Sequence, residues 1–334
     1  MTLMSRPKTI FMGTSEFAVP VLQALHQNEY DICLVVSQPD RPRGRHLKTV
    51  ATPIKNLAEK LGLQLFQPEK LCRSVCMEKI VNLHPDIIIT AAYGQILTKK
   101  FLAIPRYGVL NVHASLLPLY RGPAPIQAAI IAGEKTTGVT IMLTEFSVDS
   151  GPILTRQAEA IHPLDTAGTL QGRLAKIGAE LLLKTIPGYI SGEISPQEQD
   201  HSKATFTRRY TSDDGWINWH QSAEQVANHV RGMNPCPGAF TSCGDMRLKI
   251  TSAYPFARET VAEVPGTIVD VVRGKGILIM TGYGLLLCED LQPACRKQMK
   301  GDMLIYGRYA ALGDVLGSSL IDGDSTRCFD PLPS

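Results

Sequence analysis

The sequence predicts an α/β fold in which a doubly wound, mostly parallel sheet is followed by a small antiparallel β-barrel. Over the first half of the 334 residues, continuous apolar runs alternate with stretches of helical periodicity, as expected of strands covered on both faces. Later in the chain, short strand patterns follow one another across Gly-containing turns, which is typical of a small barrel. With 44% hydrophobic and 19% charged residues, the chain can bury a core in each of two domains.

Strand and helix patterns alternate through the first domain, which we expect to span residues 1–193. The predicted strands are TIFMG (9–13), DICLVVS (31–37), LQLFQP, DIIITAAYG (86–94), GVLNVHA (108–114), GVTIMLTEF (138–146) and PILTRQAEAI (152–161). The predicted helices are Ser15 to Gln27, a stretch that ends at Gly62, Val75 to Leu83, and the segment TAGTLQGRLAKIGAELLLKTIPGYI. This alternation predicts the doubly wound sheet.

A change of pattern marks the second domain. Residues 194–211 are polar and aperiodic and are predicted to be a linker, residues 212–318 to be the second domain, and residues 319–334 to be an acidic tail. SAEQVANHVRGMN predicts a short amphipathic helix that ends before Pro235. The strands that follow lie in GAFTSCGDMRLKITSAYPF, GTIVDVV and GKGILIMTGYGLLLCEDLQ. They predict an OB-like barrel, a fold often used to bind nucleic acid.

The composition narrows the class of protein. The sequence begins without an apolar run of signal length and has no stretch approaching the roughly 20 apolar residues of a membrane span. We therefore expect a cytoplasmic protein. The eight cysteines lie singly, without the His or Cys pairs of a zinc site, so we expect reduced thiols and no metal. A formal net charge of +3 permits an anionic partner without requiring one.

An amide and an imidazole lie two residues apart at the end of a predicted strand. Alternation along the strand directs Asn111 and His113 to the same side, with Val112 behind them. Ligands in open α/β sheets lie at the carboxyl ends of the strands. An amide that donates to an oxyanion, beside an imidazole that takes a proton, suits addition to a carbonyl. Asp149, in the turn EFSVDSGPIL, would orient the imidazole; the alternative is that these residues only cap a strand and a turn.

Several segments together resemble the folate-dependent formyltransferases. They are FMGTSEFAVPVLQAL, QPDRPRGR, DIIITAAYGQIL, NVHASLLPLYRGPAPIQAAIIAGEKTTGVTIM and DSGPIL, followed by GWINW, NPCPGA, PGTI and LQPA. The resemblance runs from about Lys8 to Met303. Each segment alone is weak, but their order and spacing are specific.

The resemblance implies that the chain transfers a formyl group from 10-formyltetrahydrofolate to the α-amino group of methionyl-initiator-tRNA, for the initiation of translation and without a metal. Asn111, His113 and Asp149 match the family's catalytic trio. The residues that match its folate-binding edge are Ala91, Ala92, Tyr93, Gly94, Ser115, Leu116, Leu117 and Pro118. We expect a monomer.

Basic residues that would meet tRNA phosphates occur in several places. They are Arg41, Arg43, Arg45 and Lys48 in SQPDRPRGRHLKT (37–49), then Arg208 and Arg209, and Arg296 and Lys297. Pro and Gly in the first segment predict a loop without regular structure. The family inserts the corresponding loop against the tRNA acceptor end. For each residue taken singly, ordinary solvated charge is the alternative.

Other functions remain open on the sequence. A formyltransferase for an amino sugar nucleotide, or a 10-formyltetrahydrofolate hydrolase, would share the trio but has no evident need of QPDRPRGR. A nucleotide-binding dehydrogenase fits the sheet, yet MGTSEF lacks the Gly-x-Gly-x-x-Gly fingerprint. A noncatalytic RNA-binding protein needs only the basic loop and the barrel, and leaves Asn111, His113 and Asp149 without a purpose.

Overall fold

The computed structural model describes residues 6–43, 48–258 and 263–317. The chain divides into two compact units. The first holds the residues up to Pro125, Thr136–Ala160 and Leu170–Arg208. The second holds Ile126–Lys135, Ile161–Thr169 and the residues from Arg209 onward. This division places residues 194–208, which the polar pattern predicts to be part of a linker, in the first unit.

Strands and helices alternate through the first part of the chain. The strands are β1 (Lys8–Gly13), β2 (Asp31–Val36), β3 (Arg41–Arg43), β4 (Lys48–Val50), β5 (Leu65–Phe66), β6 (Ile87–Ala91), β7 (Val109–His113), β8 (Thr136–Leu143) and β9 (Ile153–Ala160). The helices are α1 (Val19–Gln27), α2 (Pro53–Lys60), α3 (Ser74–Asn82), α4 (Lys99–Leu102), α5 (Pro125–Ile131) and α6 (Ala167–Ser191).

A seven-stranded sheet forms the centre of the first unit, in the order β5-β2-β1-β6-β7-β8-β9. The strands from β5 to β7 pair in parallel, and β8 runs antiparallel to both β7 and β9. Every residue of β6 is buried, and Ile10, Phe11 and Met12 of β1 are 0% exposed. Such continuous burial explains why the sequences of these strands are almost entirely apolar.

Backbone conformation sets the ends of several elements. The helix predicted from Ser15 to Gln27 begins as a 3-10 turn at Glu16–Ala18, and α1 follows with Pro20 in its first turn, where a missing N–H costs little. The strand predicted over 86–94 ends at Ala91, because Ala92 and Gly94 adopt positive φ angles of 44° and 87°. Thr52 caps α2, its side chain accepting a hydrogen bond from the Lys55 amide.

The basic segment at 37–49 is more regular than predicted. Strands β3 and β4 pair antiparallel, with Arg41 opposite Val50 and Arg43 opposite Lys48. The expectation of a loop without regular structure is therefore wrong for these two strands. Pro42 is tolerated because the pair forms a two-stranded sheet of its own, in which both strands are edges.

Antiparallel pairing characterises the second unit. Its later elements are α7 (Ala223–Met233), β10 (Ala239–Cys243), β11 (Met246–Phe256), β12 (Ile268–Val272), β13 (Gly276–Met280), β14 (Leu285–Pro293), β15 (Met299–Lys300) and α8 (Asp302–Tyr306). The strand order is β10-β11-β14-β13-β12, and β15 pairs with β14. Ser222 and Gln225 form a capping box at the start of α7. The predicted fold class, a mostly parallel α/β sheet followed by an antiparallel β domain, is confirmed.

Candidate active site

Asn111 lies on β7, directly opposite Thr90 of the neighbouring parallel strand β6. The Thr90 hydroxyl donates a hydrogen bond of 2.9 Å to Oδ1 of Asn111. The same hydroxyl lies 3.2 Å from the Leu110 carbonyl, and its bond to Asn111 places Oδ1 of the carboxamide toward β6. The N–H groups of the amide are then the part that can donate to a substrate oxygen.

His113 follows two residues later and is 6% exposed, with Val112 buried behind the pair. Its Nε2 lies 3.1 Å from the main-chain oxygen of Tyr120. A carbonyl oxygen can only accept, so Nε2 carries the hydrogen in this bond. Nδ1 faces the other way and lies 3.6 Å from Oδ2 of Asp149, within ion-pair range but longer than a direct hydrogen bond.

Asp149 lies in the connection between β8 and β9 and adopts a φ of 45°, in the left-handed region that Asn and Asp tolerate better than most residues. Its Oδ2 accepts a 2.8 Å hydrogen bond from the Gly122 amide. The same oxygen faces His113, so the Gly122 N–H helps to hold the carboxylate beside the imidazole. The structure thus brings together the His113 and Asp149 side chains, which the sequence could only suggest.

The residues predicted to form the folate-binding edge fall into an exposed group and a buried group. Ala92 and Gly94 are exposed, and the Tyr93 carbonyl accepts a 2.9 Å hydrogen bond from the Thr14 hydroxyl. Ser115 and Leu117, in contrast, are 0% exposed. The Ser115 hydroxyl donates to the Leu119 carbonyl and the Leu117 carbonyl accepts from Arg156, so both residues shape the loop itself. Ala91 and Tyr93 are buried as well, and Leu116 and Pro118 are half-buried.

A cleft of about 510 Å³ lies between α4 and the segment after β8. Its lining residues are Lys99, Leu102, Ala103, Thr144, Glu145, Phe146 and Ser147. None of the predicted catalytic or folate-edge residues lines it, so its size does not make it part of the candidate site.

Comparison with known proteins decides the family. Residues 7–186 match the family Formyl transferase, and residues 209–309 match Formyl transferase, C-terminal domain. The methionyl-tRNA formyltransferase of Bacillus subtilis strain 168 is 43% identical over 311 residues, which cover 93% of this chain and 98% of that protein. The methionyl-tRNA formyltransferase of Enterococcus faecalis strain V583 is 46% identical over 293 residues, covering 87% and 93%. This chain belongs to the methionyl-tRNA formyltransferases.

Solved structures agree on the fold. The methionyl-tRNA formyltransferase from Clostridium thermocellum superposes with a TM-score of 0.52 at 16% identity, covering 82% of this chain and 98% of that one. An N-formyltransferase from Helicobacter canadensis, solved in a complex with folinic acid and dTDP-3-aminofucose, gives a TM-score of 0.63 at 18% identity and covers 85% and 99%. The family relationship, rather than these structures, makes the chain a formyl-transferring enzyme, as predicted, and it does not favour the dehydrogenase or the noncatalytic RNA-binding alternative.

The predicted tRNA-contacting residues are exposed where the structure describes their side chains. Arg41 is 58% exposed and pairs with Glu69 at 2.6 Å, and Asp40 beside it pairs with Lys55 at 2.5 Å. Arg208, Arg209, Arg296 and Lys297 are exposed. The backbone of Arg43 and Lys48 lies in β3 and β4, whereas Arg45 falls outside the described residues.

Within residues 6–43, 48–258 and 263–317, no cluster of three or more His, Cys, Asp or Glu side chains could hold a metal ion. The helices in these ranges include none with the length and apolar character of a membrane span.

Sequence reasoning missed the groups that hold the trio in place. The Tyr120 carbonyl and the Gly122 amide are main-chain groups, which no residue pattern distinguishes. Thr90 carried a detectable signal, since it is the polar residue in the otherwise apolar strand Ile87–Ala91.

Proposed function

We propose that this enzyme transfers the formyl group of 10-formyltetrahydrofolate to the α-amino group of methionyl-initiator-tRNA, acting as a cytoplasmic monomer. The observation that carries the proposal is the site at the end of β7. There an amide oriented by Thr90 stands two residues from an imidazole that faces a carboxylate at 3.6 Å. The family relationship supplies the substrates to which this chemistry applies.

The reaction forms one C–N bond and breaks another. The α-amine attacks the formyl carbon, and the carbonyl oxygen of the resulting tetrahedral intermediate bears a negative charge. The N–H groups of Asn111 donate to this oxyanion, where charge develops in the transition state. When the intermediate collapses, the bond from the formyl carbon to N10 of the folate breaks, and the formyl group stays on the amine.

One proton must travel from the attacking amine to N10 of the leaving folate. His113 takes this proton at Nδ1 and delivers it, directly or through water. The Tyr120 carbonyl keeps the hydrogen on Nε2, so that Nδ1 is the nitrogen that changes its protonation. The Asp149 carboxylate, 3.6 Å from Nδ1, stabilises the positive ring while it carries the proton. No covalent intermediate or metal is required.

Two surfaces then bind the substrates. The folate lies along the edge formed by residues 91–94 and 115–118, where the exposed backbone of Ala92 and Gly94 approaches it and buried Ser115 and Leu117 act through the loop they shape. The acceptor arm of the tRNA meets the basic β3–β4 segment, with Arg41, Arg43, Arg45 and Lys48 on its phosphates. Arg208, Arg209, Arg296 and Lys297 extend these contacts.

The test is to follow the label of formyl-labelled 10-formyltetrahydrofolate with three acceptors: methionyl-initiator-tRNA, an amino sugar nucleotide and water. We expect the label to reach the α-amine of methionyl-tRNA, with hydrolysis and sugar formylation far slower. A matched acceptor is the same tRNA without methionine, which has the phosphates but no amine and should stay unlabelled. Preferential labelling of the amino sugar, or release of formate at an equal rate without tRNA, would refute the proposal.

A further inference from the structure

Residues 197–207 do not leave the first unit but run along the loops that carry the candidate site. The main chain of Gln197 exchanges hydrogen bonds of 2.7 and 2.9 Å with Ile153 at the start of β9. Further along, the Arg121 amide donates to the Thr205 carbonyl at 2.8 Å, and the Thr207 amide donates to the Arg121 carbonyl at 2.7 Å. This segment is therefore bonded both to β9 and to the loop after β7.

Gln199 is the residue of this segment whose side chain is buried, at 5% exposure. Its Nε2 donates to the main-chain oxygens of Asp149, at 2.9 Å, and Gly151, at 2.7 Å. Its Oε1 accepts from Nε and Nη2 of Arg121, at 3.1 and 2.7 Å. Both hydrogens and both acceptor positions of the carboxamide are thereby used.

The two loops that Gln199 joins are the loops that hold His113 and Asp149. Arg121 is 4% exposed and lies between Tyr120, whose carbonyl contacts His113, and Gly122, whose amide donates to Asp149. On the other side, Gln199 holds the carbonyl of Asp149 itself. A shift of either loop would change the 3.6 Å separation between imidazole and carboxylate.

Asp149 needs such a restraint. Its φ of 45° is less favourable than an extended or right-handed conformation for any residue with a Cβ, and persists only where the surroundings determine it. The hydrogen bond from Gln199 to the Asp149 carbonyl restrains the peptide plane after Asp149, and the Gly122 amide then holds the carboxylate that this backbone presents.

We propose that Gln199 is a positioning residue for formyl transfer, which holds the Asp149 turn against the Arg121 loop and so sets the His113–Asp149 geometry. It does not touch substrate. The inference rests on the proposed roles of His113 and Asp149 and adds to them a residue from the segment after α6.

The test is Gln199→Ala, with Gln197→Ala as its matched control. Gln197 is the same residue type in the same segment, but its side chain is exposed and its bonds to Ile153 are made by the main chain. We expect Gln199→Ala to lower kcat about 10- to 100-fold, as lost positioning of a catalytic pair does, with KM for the folate within about twofold. Gln197→Ala should match the parent enzyme. An unchanged kcat in a folded Gln199→Ala variant would overturn the inference.

A second variant distinguishes the role of the Gln199 side-chain oxygen from that of its N–H groups. Gln199→Glu retains the oxygen that Arg121 needs but places a second oxygen, without hydrogens, against the carbonyls of Asp149 and Gly151. We expect it to remain folded and to lose kcat as Gln199→Ala does. Parent-like kcat in Gln199→Glu would overturn the inference, because the donors to Asp149 and Gly151 would then be dispensable. This variant also decides the matter if Gln199→Ala fails to fold.

A double-mutant cycle with Asp149→Asn tests the route of the effect. If Gln199 acts through Asp149, its removal should lower kcat less than about threefold in the Asp149→Asn background. An equal loss in both backgrounds would overturn the inference while leaving the proposed function intact. A parent-like kcat in Asp149→Asn alone would instead contradict the proposed role of Asp149 and with it this inference, while the label experiment would still decide the proposed function.

Discussion

At the scale of single residues, the site depends on polar groups that fix the protonation or orientation of their neighbours. The Thr90 hydroxyl orients the amide of Asn111, and the Tyr120 carbonyl sets which nitrogen of His113 carries its hydrogen. Strand alternation predicts that Asn111 and His113 share a face of β7, whereas it is the family resemblance that predicts their catalytic roles together with Asp149, and those roles stay predictions. Their supports could not be predicted, because the register between β6 and β7 and the path of residues 120–122 arise only on folding.

Substitutions at Asn111 and at Thr90 should slow formylation to different extents. Asn111→Ala removes the oxyanion donor and should slow single-turnover formylation by about 3 kcal/mol, or roughly 150-fold. Thr90→Val keeps the shape of the side chain but lets the amide rotate, and should cost at most about 1 kcal/mol, a few-fold. The control is Thr136→Val, at an exposed strand position of the same sheet. A Thr90→Val loss as large as that of Asn111→Ala would contradict the assigned order of roles.

Asp149→Asn should separate chemistry from binding. Asn tolerates the φ of 45° and can still accept from the Gly122 amide, so the turn should survive while the charge facing His113 is lost. We expect single-turnover formylation to fall by about two to four powers of ten, with the Kd for the folate within about threefold. Measuring both quantities on one preparation checks this. A defect confined to the folate Kd would show that Asp149 binds rather than positions.

At the scale of elements, strands were more predictable than the basic segment. Burial on both faces leaves a mostly apolar run in β6, whereas β3 (Arg-Pro-Arg) and β4 (Lys-Thr-Val) are only three residues long and mainly basic or polar, so their pattern alone indicates a loop. The residue directly before β3 is nevertheless held by polar contacts, because the Asp40 carboxylate accepts hydrogen bonds from Lys55 and from Gln67. The same contacts hold the pKa of Asp40 below its ordinary value, chiefly through the Lys55 hydrogen bond.

Neutralising Arg41, Arg43 and Arg45 together, by substitution with Gln, should weaken binding of tRNA most at low salt. Each lost phosphate contact should flatten the slope of log affinity against log salt by about 0.7–0.9. Arg41 would first have to leave its exposed pair with Glu69, which costs little. The control neutralises three exposed lysines, Lys60, Lys176 and Lys184, with the same change in net charge. An equal effect of both sets would show that the segment contributes only general charge.

At the scale of the whole molecule, the residue patterns predict an α/β part followed along the chain by an antiparallel β part. They did not predict the path of residues 197–207. That segment makes its contacts through its backbone and through polar side chains, among them Gln199, Thr205 and Thr207, so it has neither the apolar run of a strand nor the period of a helix. A polar, aperiodic stretch is equally compatible with a solvated linker and with a segment bonded to a neighbouring loop.

The stability of the chain should fall in mildly acidic solution because of His229 in the second unit. Burial lowers the pKa of His229 below its ordinary value of 6.5, and within the described residues its Nε2 has no hydrogen-bond partner. The unfolded chain therefore binds this proton at a higher pH than the folded chain, and stability falls as pH decreases below about 6.5. The expected loss is up to ~1.4 kcal/mol per pH unit until the folded pKa is reached.

Thermal unfolding at pH 7.5 and pH 5.5 checks this. His229→Gln should show a smaller pH dependence than the parent, and the control His220→Gln, at an exposed position, should not. If the pH dependence of unfolding is unaltered in His229→Gln, a group other than His229 causes the loss of stability at acidic pH.

The central claim, that His113 moves the proton in formyl transfer, is tested most directly by single-turnover formylation of methionyl-tRNA with His113→Ala. The account predicts a rate lower by about two to four powers of ten, with tRNA and folate Kd values within about threefold and a folded protein by circular dichroism. His26→Ala, an exposed histidine on α1, should react at the parent rate. A folded His113→Ala enzyme that formylates methionyl-tRNA at the parent rate would contradict the account.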